Sequence, residues 1–598
     1  MFQILCSWLL LVGPNSLSAE LDWWETSVIY QIFPWSFKDS NGDGIGDLNG
    51  IYEKLDYIKD LGVDVVWIQP VYRSPMIDMG YDPISMREID PIFGTLDDMK
   101  RLIQGAHERD LKVLMDFVPN HTSNESEWFK RSVEREEPYT DYFIWHDGRP
   151  VNNTHRVEPN NWISQFTDHS AWTWNDKRQQ YYFHHFSEEQ PDLNLRNPKV
   201  QGELESLLRF WLDLGADGFR VDAVPYFFEA AHLRDEPEIN DTDISSNFYK
   251  RLHIYTMRQP ENLQILQSWR EFLDSYKKKD GITRLLAVED TGPMEGIIPL
   301  FGNESHPAAH FPFNYGLLYL DYTMNVTVLD KTIHDLVDQL PINRLPNWMT
   351  ESHDLWRISS RFGTDAVDSF NMLNLLLPGS ACVYYGSEIG LEESMVRKDQ
   401  STKNTAFAVL PLNRDIIRGP MPWDDTKNGG FTTAKKPWLP LSSRYWLENV
   451  KKQVQEPKSH LNIFKRLAAL RKTPIGRYGD LKTHVVNTWT YLFTRSANNH
   501  TIAVVINLGS ESEKICSEDS NFGLPEIMFV HTGSLNSGFE AGEKIRVVSS
   551  KVQSCAELRP KAGLVMTTYR SNGMVWSLAL WHLLLGIGVS TLWQSGIY

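Results

Sequence analysis

The sequence predicts an α/β fold: a closed (β/α)8 TIM barrel with a subdomain inserted after its third strand and a C-terminal antiparallel β-sandwich domain. Three observations predict it. Short apolar runs alternate with helix-period stretches through most of residues 20–475, the pattern of a parallel sheet wrapped by helices. The alternation breaks once, over residues 121–190, which are polar, rich in Trp, Asn and His, and lack helical period. Beyond residue 476 the helical period is replaced by short strands, as in a small β domain.

Residues 1–19 open with an apolar run, 4–12, followed by small polar residues and Ala19; this reads as a secretory signal, although no Lys or Arg precedes the run. Residues 28–35 form the first strand, 50–61 a helix and 63–71 a strongly apolar second strand. Thr95 caps a helix running to residue 111, with Asp97 and Asp98 at its positive end. Residues 112–120 are the third strand. After the insertion come a helix at 200–214 and strands at 215–224, 284–290, 311–320, 347–354 and 381–386, which complete eight units. A helix at 459–472 ends the barrel, and strands such as 488–494 and 501–507 follow. The domain plan is a signal at 1–19, a barrel at 20–120 and 191–475, an insertion at 121–190, a β domain at 476–568 and a hydrophobic tail at 571–598.

That tail is apolar over 574–593 and nearly long enough to span a bilayer. Ser571, Asn572 and Gly573 precede it and no basic residue follows, which suggests a GPI-attachment signal. A retained single span and a buried terminal helix are the alternatives. Together with the signal, this predicts a protein on the outer face of the plasma membrane. The chain has 598 residues and a net charge of −18 with no basic cluster, so nucleic acid is not an expected partner. Aromatics are 12 %, which suits a site that stacks sugar rings as well as an ordinary core. Of the 4 cysteines, Cys6 lies in the signal, Cys516 and Cys555 are placed to pair, and Cys382 is a single buried thiol; this is no disulfide scaffold. Asn-x-Ser/Thr acceptors stand at Asn120, Asn124, Asn152, Asn240, Asn303, Asn325 and Asn499, with Asn120 too close to the strand-end site to be modified.

Two clusters carry chemistry. Asp39-Ser-Asn41-Gly-Asp43-Gly-Ile45-Gly-Asp47 sets oxygen ligands at alternate positions around glycine turns, as hard cations require. Asp39, Asn41, Asp43, Asp47 and the Ile45 carbonyl are the candidate Ca2+ ligands; Gly50 stands where an EF-hand needs its Glu, and a metal-free Asp/Gly turn is the alternative. The second cluster spans the strand ends. Arg220 and Asp222 alternate along one strand and face the same side. An Arg beside an Asp keeps that carboxylate ionised, as a covalent sugar-transfer nucleophile must be, although a structural ion pair has the same pattern. Asp116, Asn120 and His121 end the third strand, Glu289 the fifth, and His353 and Asp354 the seventh. Carboxylates converging with an Arg and two His at the C-terminal ends of barrel strands make a glycoside-hydrolysis site.

The motifs Asp116-Phe-Val-Pro-Asn-His121, Gln190-Pro-Asp-Leu-Asn194, Gly218-Phe-Arg-Val-Asp222, Val288-Glu289 and Ser352-His-Asp354 resemble those of glycoside hydrolase family 13, the α-amylase family. More narrowly the chain resembles insect maltases (α-glucosidases), including GPI-anchored gut forms, from about residue 24 to 567. The resemblance implies Asp222 as nucleophile, Glu289 as general acid and base, and Asp354 as transition-state stabiliser. It also implies that His121, Arg220 and His353 hold the first sugar, and that the loop at 39–47 is a calcium loop. Asp78-Met-Gly-Tyr81 and Arg414-x-x-x-Arg418-x-Pro-Met resemble motifs in which the Asp pairs with an Arg and closes the site into a pocket, implying exo-action. Arg418 is taken as that partner, with Arg414 the alternative, and Tyr81 is expected to stack under the sugar. Ala223 resembles the α-1,4-cleaving branch, which favours maltose, malto-oligosaccharides and sucrose over isomaltose. Ser352, Trp35 and Gln69 depart from the usual pattern without removing a catalytic group. The competing function is a cell-surface receptor on the same scaffold, since related gut maltases bind a bacterial binary toxin; self-association as a homodimer is left open. Transporter heavy chains of the family lack the intact carboxylates, which this chain keeps.

Overall fold

The structure, a computed structural model, describes residues 20–152, 156–402, 413–516, 522, 524–546 and 555–570. The leader and the hydrophobic tail lie outside the described residues. Eight parallel strands form one sheet: β1 (Val28–Ile32), β2 (Val65–Ile68), β3 (Lys112–Phe117), β4 (Gly218–Val221), β5 (Leu285–Val288), β6 (Phe311–Pro312), β7 (Asn347–Met349) and β8 (Ser380–Tyr384). Their order is β6-β5-β4-β3-β2-β1-β8-β7, a nearly closed barrel. The remaining seam, between β6 and β7, is bridged by a side chain. Asn347 donates to the Pro312 carbonyl at 2.7 Å and accepts from Asn314 N–H at 2.8 Å. The apolar run at 311–320 is a two-residue strand because Pro312 has no N–H to give a ladder and the chain then turns.

Strand composition explains the layering. Every residue of β1, β2, β4, β5 and β8 is buried, as in a sheet covered on one face by helices and filled on the other. Inward-facing Ile29, Val65, Trp67, Leu114, Leu285, Ala287 and Cys382 pack together inside the barrel. Gly218 starts β4 at φ +154°, where a Cβ would lie 2.2 Å from the Leu285 carbonyl oxygen, so only glycine lets β4 approach β5 there. The helix predicted from Thr95 runs Leu96–His107, opened by a Thr95–Asp98 capping box. The helix predicted at 50–61 is two short helices, Leu48–Glu53 and Leu55–Asp60, meeting at Lys54, and the N-terminal one is capped by Asp47.

The insertion holds a short helix (Glu127–Val133), which its lack of period had hidden, and a three-stranded antiparallel sheet. Its own core is aromatic: Trp162, Trp172 and Phe183 pack as one cluster. After β4 a long irregular segment leads to helix Glu261–Asp280. The C-terminal region is a six-stranded antiparallel sheet with a separate two-stranded ladder, in which Cys516 stands opposite Cys555. Among the described residues, no helix is long and apolar enough to cross a membrane.

Candidate active site

The barrel brings the strand-end groups onto one cation. Arg220 on β4 is fully buried. Its Nη1 lies 2.9 Å from Asp116 Oδ1 on β3 and 2.5 Å from Asp222 Oδ1, and its Nη2 lies 2.8 Å from Glu289 Oε1 just past β5. The parallel register sets Arg220 level with both Asp116 and Ala287, so one guanidinium fork reaches the neighbouring strand ends. Burial pushes the carboxyls of Asp222 and Asp116 up, against the pull of Arg220. Burial would lower the guanidinium, but the surrounding carboxyls, Asp116 first, hold it well above its usual range. Three carboxyls share one buried cation, so the cluster carries excess negative charge.

Asp354, beyond β7, has the opposite setting. His353 Nε2 is 3.0 Å from its Oδ2, and Arg414 and Arg418 each reach its Oδ1 at 3.1 Å. Burial would raise this carboxyl, but His353 and the two Arg hold it well below its usual range, so it is ionised. Gln31 donates to His353 Nδ1 at 2.9 Å, leaving Nε2–H for Asp354. His353 is lowered by burial, against Asp354, and His121 is pushed down by burial to about 4, so both rings are neutral. His121 Nε2 binds the Tyr81 carbonyl at 2.7 Å.

These groups line a single cavity of about 300 Å³ that contains Asp78, Tyr81, His121, Asp222, Ala223, Glu289, His353, Asp354 and Arg414. Tyr81 stacks on His353 at 5.5 Å and 11°, and its hydroxyl donates to Asp116 at 2.9 Å, so its ring is a wall of the pocket. One expectation is corrected. The partner of Asp78 is Arg414, at 2.8 Å; Arg418 instead donates to the His353 carbonyl at 3.0 Å and to Asp354. Arg414 and Arg418 belong to a 3-10 turn, which sends residues four apart to different sides. Arg418 therefore lies behind Asp354 and does not line the cavity. Of the departing residues, Gln69 donates to the Tyr81 hydroxyl at 3.2 Å, Ser352 Oγ accepts from Asp354 N–H at 3.2 Å, and Trp35 packs against Phe93 and Trp438 away from the site.

Several lining residues were given no role from the sequence, Gln190 being named there only as the start of a motif. Gln190 donates to Asp78 Oδ2 at 3.1 Å and to the Tyr81 carbonyl at 3.2 Å. Tyr315 donates to Glu289 Oε1 at 3.0 Å. Phe166 and Phe186 from the insertion, and Tyr226, Tyr249 and Tyr319 from the loops after β4 and β6, wall the outer half. Phe166 and Phe186 lie in the insertion, which the sequence marked only by its aromatic richness; Tyr226 and Tyr249 lie in irregular chain, and Tyr319 in a run expected to be strand. Ala223, at φ +55°, turns its N–H to Glu289 Oε2 at 3.1 Å.

The loop at 39–47 is held by its own oxygens. Asp39 accepts from Gly42 N–H at 2.6 Å and Gly44 N–H at 2.8 Å, Asn41 from Asp43 N–H, Asp43 from Ile45 N–H, and Asp47 from Ser40 and Gly50. The donor set is the hard-oxygen kind that suits Ca2+. Among the described residues, however, no three His, Cys, Asp or Glu side chains converge closely enough to hold a metal.

Residues 31–479 match the catalytic domain of α-amylase, and the chain belongs to that family. It is 42 % identical to a salivary α-glucosidase of Aedes aegypti over 83 % of this chain and 87 % of that one. It is 39 % identical to maltase A1 of Drosophila melanogaster over 88 % and 94 %. Among solved structures, an α-glucosyl transfer enzyme superposes with a TM-score of 0.79 at 32 % identity, over 92 % of this chain and 100 % of that one.

Proposed function

We propose that this member of the α-amylase family is an exo-acting, retaining α-glucosidase that releases glucose from the non-reducing end of maltose and malto-oligosaccharides, and from sucrose. One observation carries the reading: a single buried guanidinium holds the carboxyls of both Asp222 and Glu289 at the floor of the pocket. A retaining mechanism needs two carboxyls roughly 5–5.5 Å apart, whereas an inverting one needs roughly 6.5–9.5 Å to admit water between them. Two carboxyls bound to one fork suit the first.

In the first step an Asp222 oxygen attacks the anomeric carbon as the bond to the leaving oxygen breaks. Glu289 gives its proton to that oxygen. In the second step Glu289 takes a proton from water, whose oxygen attacks the same carbon and displaces Asp222, so the configuration is retained. Asp354, ionised and fixed by three donors, accepts from hydroxyls of the reacting sugar as it flattens. The Asp78–Arg414 pair shuts the inner end, so a chain enters only by its terminal glucose.

The maltase and α-glucosidase relatives support α-glucosides as substrates. Ala223 supports α-1,4 over α-1,6 cleavage. Ca2+ is proposed at the loop of residues 39–47, where Asp39, Asn41, Asp43, Asp47 and the Ile45 carbonyl would have to draw together, exchanging bonds within the loop for the ion, to hold it as a structural ion. The proposed location is the extracellular face, with a lipid anchor at the C-terminal tail. The test is product analysis on maltoheptaose, maltose, sucrose and isomaltose. Glucose as the first product from every productive substrate is expected; early oligosaccharides of intermediate length would overturn exo-action, and isomaltose cleaved faster than maltose would overturn the linkage preference.

A further inference from the structure

We infer that Tyr315 is a positioning residue that decides which oxygen of Glu289 carries the catalytic proton. The inference rests on the α-glucosidase reading above. A carboxyl that must deliver a proton to one leaving atom has to present one oxygen, yet the terminal torsion of a Glu side chain is broad and two-fold. One donor and one charge converge on the same oxygen here: the Tyr315 hydroxyl donates to Oε1 at 3.0 Å, and the Arg220 Nη2 lies 2.8 Å from it as an ion pair without hydrogen-bond geometry. An oxygen that already accepts from a hydroxyl and faces a guanidinium charge is a poor place for a further proton. The proton therefore sits on Oε2, which among the described residues otherwise meets the Ala223 N–H alone.

Arg220 alone does not fix the rotamer, because its fork is shared with Asp116 and Asp222. Among the described residues, the Tyr315 hydroxyl bonds Glu289 alone. Burial, and then the charge of Glu289, hold its hydroxyl well above the usual tyrosine range, so it remains an O–H donor through the cycle. Its ring is fixed from outside by Tyr319, stacked at 6.0 Å and 29°, which stands half exposed at the pocket mouth.

The test is Tyr315→Phe, which keeps the ring. The assay compares kcat/KM on maltose and methyl α-glucoside, whose leaving groups need a proton, with α-glucosyl fluoride, whose leaving group needs little. One hydrogen bond to an ionised group is worth about tenfold to a hundredfold in rate. The expected result is a loss of that size on maltose and methyl α-glucoside with less than threefold change on the fluoride. Equal loss on all three, as a merely structural role would give, overturns the inference, as does no loss on any. The double variant Tyr315→Phe/Glu289→Ala, assayed on the fluoride, should match Glu289→Ala alone; a further loss there also overturns it. Should the unaltered protein cleave none of the three, it is the α-glucosidase reading that fails, and the inference falls with it.

Discussion

Removing Arg414 separates the pocket-closing pair from the rest of the site. Arg414 bonds Asp78 at 2.8 Å and Asp354 at 3.1 Å. In Arg414→Met, Asp354 keeps Arg418 at 3.1 Å and His353 at 3.0 Å. Asp78, which is 5 % exposed, keeps only the Gln190 amide among the side chains bonded to it. The loss therefore falls on Asp78. Breaking one side of a buried pair costs about 3–5 kcal/mol of stability, and a lost charged contact at the substrate costs about 3 kcal/mol in kcat/KM, roughly a hundredfold. The assay is a double-mutant cycle on maltose with Asp78→Asn, Arg414→Met and their combination. A coupling of about 2 kcal/mol is expected, because the second substitution removes a contact already lost. A parallel cycle with Arg418→Met should be additive within about 0.5 kcal/mol. Coupling of Asp78 to Arg418 and not to Arg414 would refute the pairing and the pocket geometry drawn from it.

Three further outcomes follow from the same contacts. Arg220→Lys keeps the charge but cannot hold Asp116, Asp222 and Glu289 on one fork, so activity should fall roughly 100- to 1000-fold; near-normal maltose hydrolysis would show that the shared fork is dispensable. Burial pushes His184 down from 6.5 to about 4. The unfolded chain binds the extra proton between those values, so the neutral ring's contribution is full above pH 6.5 and is lost as pH falls toward 4. The stability advantage of the natural protein over His184→Gln, read from urea midpoints, should shrink by about 1.4 kcal/mol per pH unit across that window, and a gap constant with pH would contradict it. If the loop at 39–47 holds Ca2+, chelation should lower the melting temperature of the natural protein and not of Asp39→Asn/Asp43→Asn, and equal shifts would remove the metal from that loop.

The sequence exposed the parts of the site that obey a period. Arg220 and Asp222 share a side because strand side chains alternate, and their ion pair at 2.5 Å is the result. Asp116 and Glu289 could be placed near strand ends because Glu289 closes an apolar run and Asp116 stands near the end of one. What could not be read were contacts set by irregular backbone. The spacing of Arg414 and Arg418 is the same in a helix, a 3-10 turn or a loop, and only the observed turn says which reaches Asp78. Tyr226, Tyr249, Tyr315 and Tyr319 line the pocket from segments whose conformation is fixed by tertiary packing. The closure of the barrel at Asn347 was equally hidden, since one side chain stands in for a missing ladder.

The account turns on Asp222 as the nucleophile of a retaining reaction. The most direct measurement follows maltose hydrolysis by proton NMR before mutarotation, with the natural protein and Asp222→Asn side by side. The account predicts that α-glucose appears first and that Asp222→Asn loses about a thousandfold or more of the rate. Initial release of β-glucose, or an Asp222→Asn protein that hydrolyses maltose at a comparable rate, would contradict it.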